Sequence, residues 1–360
     1  MRHIATILLS LIVGGVFIFS GFVKSVDPVG TSIFVEKYLA TYSLEALSPM
    51  ALTIAVVLGA VELLLGIMLV TGAYRSRAAF AATIFLALFT IITLLSATIL
   101  PIGDCGCFGD AVKLTPWQTF AKNVVLLPMA SLLWWLSRKG GCRRFSLMIT
   151  VVALLLALGV NLIALRFLPL IDFMPYKVGV NLREQIGRTY VAEEVSVRSV
   201  LLFRDLTTGE SVEFAADAVE CWEDENLEYL DAYTVHDEVQ SATTSDFRIY
   251  DCEGNDVTMS LLEREDSVVW LCVNDATALE GRRLDAAMRV AKSKPIVVTS
   301  ADIESVESML GLPCYGMDAM TLRSFIRADV GVVIVDDGVI AHKYDVRDYQ
   351  SAMFRINILM

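Results

Sequence analysis

LGAVELLLGIMLVTG, residues 58–72, closes an apolar run that opens at Ala51 and holds a single ionisable residue, Glu62. A helix over Ala51–Gly72 is long enough to cross a bilayer, which takes about 20 residues. Working outward, Ile4–Val23, Ala78–Leu100, Phe120–Leu136 and Phe145–Phe167 have the same character. The first of these follows Arg2, as a signal peptide would. Its apolar stretch is longer than the roughly 7–15 residues of a signal's centre, and no small-residue cleavage site follows it, so it is read as a retained helix. The expected fold is an α-helical membrane bundle of five transmembrane helices, followed by a domain of another class.

Charge divides the chain at the same place. Residues 1–169 carry 12 Lys+Arg against 6 Asp+Glu, and residues 170–360 carry 17 against 35. A half with a net charge of −18 repels phosphate and shows no basic stripe, which argues against nucleic acid as a partner. In the membrane half, Arg2, Arg75, Arg77, Arg138, Lys139, Arg143 and Arg144 fall on one side of a five-helix count. By the positive-inside rule that side, with the N-terminus, is cytoplasmic. The acidic half and GDCGCFGD (residues 103–110) then lie outside. The protein is expected in a cytoplasmic (inner) membrane, with lipid around its helices.

Four polar residues of this half are candidate binding positions. Glu62 in mid-span is costly unless it pairs or works. It reads either as a carboxylate locking helix to helix, with Lys122 or Asn123 as possible partners, or as a proton or ligand site. Lys24 and Asp27 bracket the end of the first span, where Pro28 and Gly30 start a turn and Ile33–Leu39 suits a short interfacial helix. A solvated turn with an anchoring lysine is the plainer reading. Lys122 is near enough to the interface to snorkel.

Cys105 and Cys107, one glycine apart, are the candidate catalytic pair. Cys142 falls in a cytoplasmic loop and should stay reduced, whereas the other six of the seven cysteines fall outside, where disulfides persist. Gly106 permits the tight backbone a Cys105–Cys107 bond needs, and such a strained bond is exchangeable. Three readings stand. The pair is redox-active, meeting a lipid quinone or a client's thiols; it is a structural staple; or it is half of a metal site. His3, His236 and His342 are too scattered to complete a zinc set, so no metal is expected.

VFIFSGFVKSVDPVGT (16–31), LGAVELLLGIMLVTG and DCGCFGDAVKLTPWQTFAKNVVLL (104–127) resemble the DoxX-like and MauE-like family of small bacterial membrane proteins. The motifs that carry the resemblance are SG-x-x-K-x-x-DP-x-G and CGCFGD with the Trp117–Asn123 run. It covers roughly residues 1–137 and implies a four-helix unit assisting redox or maturation of a periplasmic client. The order with an appended domain is similar to DoxX-like proteins of Bacteroides-type bacteria. The fifth helix and the C-terminal half lie outside the resemblance, so methylamine chemistry does not carry over to them.

Residues 138–169 are read as a cytoplasmic loop and the fifth helix. Residues 170–234 are read as a Pro-punctuated linker, LPLIDFMPYKVG, and a small β-rich segment. That segment has a strand over Val197–Phe203, a turn at Thr208–Glu210 and a solvated acidic run, ECWEDENLEYLD. From about Val235 the pattern alternates. SDFRIYDCEGNDV reads as a hairpin, SVVWLCV and PIVVTS as buried strands, and Ala276–Ala291, Ile303–Leu310 and Ala319–Ile326 as helices. GVVIVDDGVIAHKY reads as a hairpin turning at Asp337–Gly338. This α/β order resembles a thioredoxin-like domain over about Asp246–Tyr349. That fold's Cys-x-x-Cys would stand at Asn274–Thr277, where there is no thiol, and Val330 stands at the place of its cis-proline. Cys272 reads as an inert buried residue, and one disulfide among Cys221, Cys252 and Cys314 is possible.

Two functions follow. One is a redox or maturation accessory acting through the Cys105/Cys107 loop. The other is a non-enzymatic anchored scaffold whose outer domain binds an extracytoplasmic partner through Asn274–Thr277 and Ala328–Gly331. A transporter is the weaker third, since no inverted repeat is visible.

Overall fold

The structure is a computed structural model that describes residues 2–99, 106–138, 145–169, 171–188, 197–206, 211–215, 226–236, 247–264 and 266–349. Five helices are long and apolar enough to cross a membrane. They are α1 (Arg2–Val26), α3 (Ala51–Thr71), α4 (Arg75–Thr98), α5 (Pro116–Ser137) and α6 (Ser146–Arg166). This is a multi-pass membrane protein. Between α1 and α3 lies α2 (Pro28–Thr41), started by Pro28 at its first turn and by the Asp27 carboxylate, which accepts from Gly30 N at 2.7 Å. The α5 helix starts four residues before the expected Phe120, because Thr115 and Gln118 form a reciprocal capping box ahead of the apolar run.

Hydrophobicity does not sort these helices into inside and outside; size does. Along α6, Ala153, Ala157, Asn161 and Ala164 are buried, while Leu147, Leu155 and Leu162 stay about two-thirds exposed, facing where lipid would be. Small residues let helix backbones approach where lipid and Leu are equally apolar. The contact of α1 with α3 is closest. A Cβ at Gly21 would sit 2.3 Å from Leu63 N, and one at Gly66 would sit 2.6 Å from Ile18 N.

The C-terminal half is an α/β unit plus a small separate sheet. The small sheet has β1 (Val197–Asp205) between β2 (Ser211–Ala215) and β3 (Leu227–His236), all antiparallel. Leu227–Asp231 of the acidic run form part of strand β3, with Glu228, Tyr229 and Asp231 exposed, as expected of a solvated surface. The expected turn at 208–210 and residues 220–225 of that run lie outside the described residues, and β3 runs through the expected boundary at 234/235.

The larger sheet runs β4-β7-β6-β5-β8-β9. Its strands are β4 (Ile249–Tyr250), β5 (Val268–Val273), β6 (Ile296–Thr299), β7 (Cys314–Met317), β8 (Val330–Asp336) and β9 (Val339–Asp345). The flanking helices are α7 (Thr258–Leu262), α8 (Gly281–Ala291), α9 (Ile303–Leu310) and α10 (Ala319–Phe325). Strand β5 pairs parallel with β6 and antiparallel with β8. Successive side chains of β5 point to opposite faces. Trp270 and Cys272 join the core with Leu322 and Phe325, and Leu271 and Val273 join that with Ala287, Val290 and Val306. Helices cover both faces, which is why SVVWLCV reads as unbroken apolar sequence.

Four expectations are corrected. The 276–291 helix divides into a single 3-10 turn, Ala276–Ala278, and α8, because the Asp275 carboxylate caps the turn by accepting from Thr277 N. The 246–257 hairpin reduces to one bridge, Tyr250 to Asp256, and β4 forms its ladder with β7 instead. The linker is not a linker over 176–186. Tyr176, Leu182 and Ile186 lie in the α/β core, and Leu182 N donates to Gly338 O at 2.7 Å. Cys252, Cys272 and Cys314 are free thiols, so no disulfide joins Cys252 to Cys314; Cys221 and Cys142 lie outside the described residues. The last hairpin forms as expected, with Asp337 at φ 46° and Gly338 at φ 76°, the pair of positive values a two-residue I′ turn needs.

Candidate functional site

The site forms where α1, α3 and α5 meet the loop before α5. Ser20 and Lys24 are four residues apart on α1 and so share one face. Glu62 comes from the middle of α3. Lys24 Nζ donates to Glu62 Oε2 at 2.8 Å, to Ser20 Oγ at 2.7 Å and to the Cys107 carbonyl at 2.5 Å. Those three bonds use every proton of an ammonium. Ser20 Oγ also donates to the Cys107 carbonyl, at 2.7 Å. Both charged side chains are 5% exposed. A charge this deep is tolerable because it is paired and fully hydrogen-bonded. The partner of Glu62 is thus Lys24 rather than Lys122 or Asn123. Lys24 is no solvated anchor: it fixes the cysteine loop by its backbone.

Two further contacts hold that loop. Gly106 has φ +62°, and a Cβ there would lie 2.7 Å from Phe34 Cγ on α2, so only glycine fits. Phe108 packs edge-on against Phe19, with ring centroids 5.3 Å apart. Lys122 does not snorkel away; its Nζ lies 4.1 Å from the centre of the Phe108 ring. Cys105 falls outside the described residues.

Beneath the loop is a cavity of about 40 Å³, lined by Ser20, Lys24, Glu62, Cys107, Lys122 and Asn123 on its polar side and by Phe17, Phe85, Phe89 and Leu126 on its apolar side. The Asn123 side chain is buried, and its Nδ2 has no hydrogen-bond partner among the described residues. This space suits a few waters.

Residues 1–136, which span α1 to α5 except for the last residue of α5, match the family described as methylamine utilisation protein MauE. Over that stretch the chain is similar to that family of membrane proteins. No curated protein and no solved structure matches the chain. Helix α6 and the α/β unit lie beyond the matched residues.

Asp27, expected near this site, points away from it and joins the MauE-like bundle to the α/β unit. Arg327 Nε and one terminal nitrogen donate to Asp27 Oδ2 at 3.1 and 3.0 Å, and the latter also reaches Asp172 Oδ1 at 3.2 Å. Lys343 Nζ donates to Asp172 Oδ2 at 3.1 Å. One turn along α10, Arg323 donates to Glu36 of α2 at 2.6 Å. The Arg327 side chain is 2% exposed. Burial opposes the ionised Asp172, but the charges of Arg327 and Lys343 outweigh it and hold its pKa below the usual value. Burial likewise brings Lys343 down to about 8, against the pull of Asp172. In the same core, burial pushes the Cys272 thiol up to about 12, which makes it inert.

The structure therefore brings Lys24, Glu62, Cys107 and Lys122 together and sends Asp27 elsewhere. Sequence reasoning missed Ser20, whose i,i+4 spacing to Lys24 was a readable signal. It also missed Asn161 of α6, which donates to Ser25 Oγ at 3.0 Å; an asparagine inside an apolar span was the clue. Arg327 and Asp172 left no local sign, because Arg327 and its partner Asp27 are 300 positions apart.

Proposed function

We propose that this protein is a redox or maturation accessory of an inner membrane. In this reading the N-terminus is cytoplasmic, and the Cys105/Cys107 loop and the α/β unit are extracytoplasmic. The loop exchanges disulfides with an extracytoplasmic client protein. The observation that carries this reading is the Cys107 carbonyl, held by Lys24 and Ser20 beside a cavity with one polar and one apolar wall. A staple needs no buried ion pair behind it; a thiol pair that must keep one geometry through repeated cycles gains from it. The family match to a methylamine utilisation protein is consistent with an accessory role.

The strand order, with β5 between parallel β6 and antiparallel β8, supports a thioredoxin-like reading of the α/β unit. It has no thiol at Asn274–Thr277, so it serves to bind or to shield. The Asn274 amide donates to the Ile326 and Ala328 carbonyls at 3.1 and 2.8 Å, which ties the loops expected to meet a partner. That observation also favours the second reading, a scaffold that binds a partner with no redox step. Peptide-resolved thiol alkylation of Cys105 and Cys107 in cells, with respiration running and blocked, separates the two. An oxidation state that swings supports the accessory; a pair fixed in one state leaves the scaffold.

A further inference from the structure

We infer that the α/β unit braces the Cys105/Cys107 loop through α2, with Arg327 and Arg323 as positioning residues for that loop; the inference rests on the disulfide-exchange reading above. The unit has no thiol at Asn274–Thr277 to lend to an exchange. What it has instead is a buried hold on the helix that the loop leans on.

Helix α2 stands between the two. Phe34 and Glu36 are two residues apart, which places them about 200° apart around a helix axis. On one side the Phe34 ring lies against Gly106, where a Cβ would meet Phe34 Cγ, Cδ1 and Cβ at 2.7, 2.8 and 3.0 Å. The same helix touches the Gly109–Ala111 turn, which follows Cys107. On the other side Glu36 accepts from Arg323 of α10 at 2.6 Å. Loop and α/β unit therefore contact opposite faces of one helix.

Asp27 ties that helix at its start. Its Oδ1 accepts from Gly30 N at 2.7 Å and caps α2, and its Oδ2 accepts from Arg327 at 3.0 and 3.1 Å. One carboxylate serves both, so a displacement of Arg327 pulls on the cap itself. The Arg327 and Asp27 side chains are 2% and 8% exposed. A pair this buried keeps its geometry, because an unpartnered charge there is costly.

The loop is held from two sides. Lys24 and Ser20 grip the Cys107 carbonyl from the bundle. Phe34, backed by the α/β unit, closes over Gly106. Gly106 is the one residue between the two cysteines, so its backbone angles govern whether their sulfurs can bond.

The test uses the full chain in nanodiscs, reduced and with Cys105→Ser. Iodoacetamide labelling of Cys107 is followed by peptide-resolved mass spectrometry. The fully buried Cys272 is read in the same samples, since it labels only when the α/β unit opens. Arg327→Met, Asp27→Asn and Arg323→Met should each speed Cys107 labelling by roughly two- to thirtyfold while Cys272 stays unlabelled. Asp27→Asn keeps a capping oxygen and removes the charge. Arg323→Lys, which keeps the charge, should leave the parent rate. In a Phe34→Ala background, where the link to the loop is already cut, Arg327→Met should add no further increase. Cys107 rates within about twofold of the parent in all three charge variants overturn the brace. So does an Arg327→Met increase that is as large with Phe34→Ala as without it, or a gain that in every variant comes only with Cys272 labelling. The loop is read here reduced and with one cysteine, so a pair fixed in one state in cells removes the exchange reading and leaves these rates standing.

Discussion

The molecule buries charge in two places, and it does so differently. Inside the bundle, Lys24 and Glu62 form a closed pair whose ammonium is used up by one carboxylate, one hydroxyl and one carbonyl. Between the halves, Asp27, Arg327, Asp172 and Lys343 form an open chain in which each middle member serves two partners. A closed pair has no substitute for a lost member. An open chain redistributes. The difference teaches that the bundle uses charge to fix one loop, whereas the interface uses it to dock a domain.

The comparison predicts the largest effect in the bundle. Glu62→Leu alone should destabilise the protein by about 3–5 kcal/mol by stranding the ammonium. Lys24→Met combined with Glu62→Leu should recover most of that, with Ser20 still holding the Cys107 carbonyl. Thermal unfolding in nanodiscs measures both; a double variant as unstable as the single would break the closed-pair description.

At the interface, Arg327→Ala should cost about 2–5 kcal/mol of docking free energy. It should raise hydrogen exchange in α2 and α10 while leaving the core strands β5 and β6 protected. Uniform loss of protection would mean that the two halves do not dock as separate units. Next in size, Gly106→Ala should cost about 1–3 kcal/mol, since it combines a left-handed backbone with a clash on Phe34. Its melting temperature, set against that of Gly15→Ala, where nothing lies within 4 Å, isolates the local term.

The smallest effect is in pH. Lys343 has a folded-state pKa near 8 against an ordinary 10.5, so the unfolded chain binds more protons between those values. Stability should therefore rise with pH across about 8 to 10.5, and Lys343→Met should flatten that rise. Asp172 acts at the other end. Its depressed pKa contributes stability that is present above 3.8 and lost as pH falls below it. Chemical denaturation at stepped pH reads both.

What was legible in the sequence follows the same division. Long apolar runs announce helices because every backbone group in lipid must be satisfied within its own segment. Glu62 stood out because it is alone in such a run. Its partner was misassigned, since helix pairing depends on Gly21 and Gly66, whose role is close approach and not polarity. Strand β7 escaped notice because four residues, two of them half-exposed, carry too little periodicity. The docking network was invisible for a different reason: each member is an ordinary surface-type residue until the fold brings it beside one more than 150 positions away in the chain.

Helix α6 has a consequence in arithmetic. The four membrane-length helices matched by the family make an even number of crossings, so a unit built from them alone begins and ends on one face. A fifth crossing changes that parity. It carries the chain back to the face where α1 ends and the Cys107 loop lies, and there Arg327 can meet Asp27. An inserted or deleted span would strand the α/β unit on the opposite side of the membrane from the loop it sits beside, with every residue of both still intact.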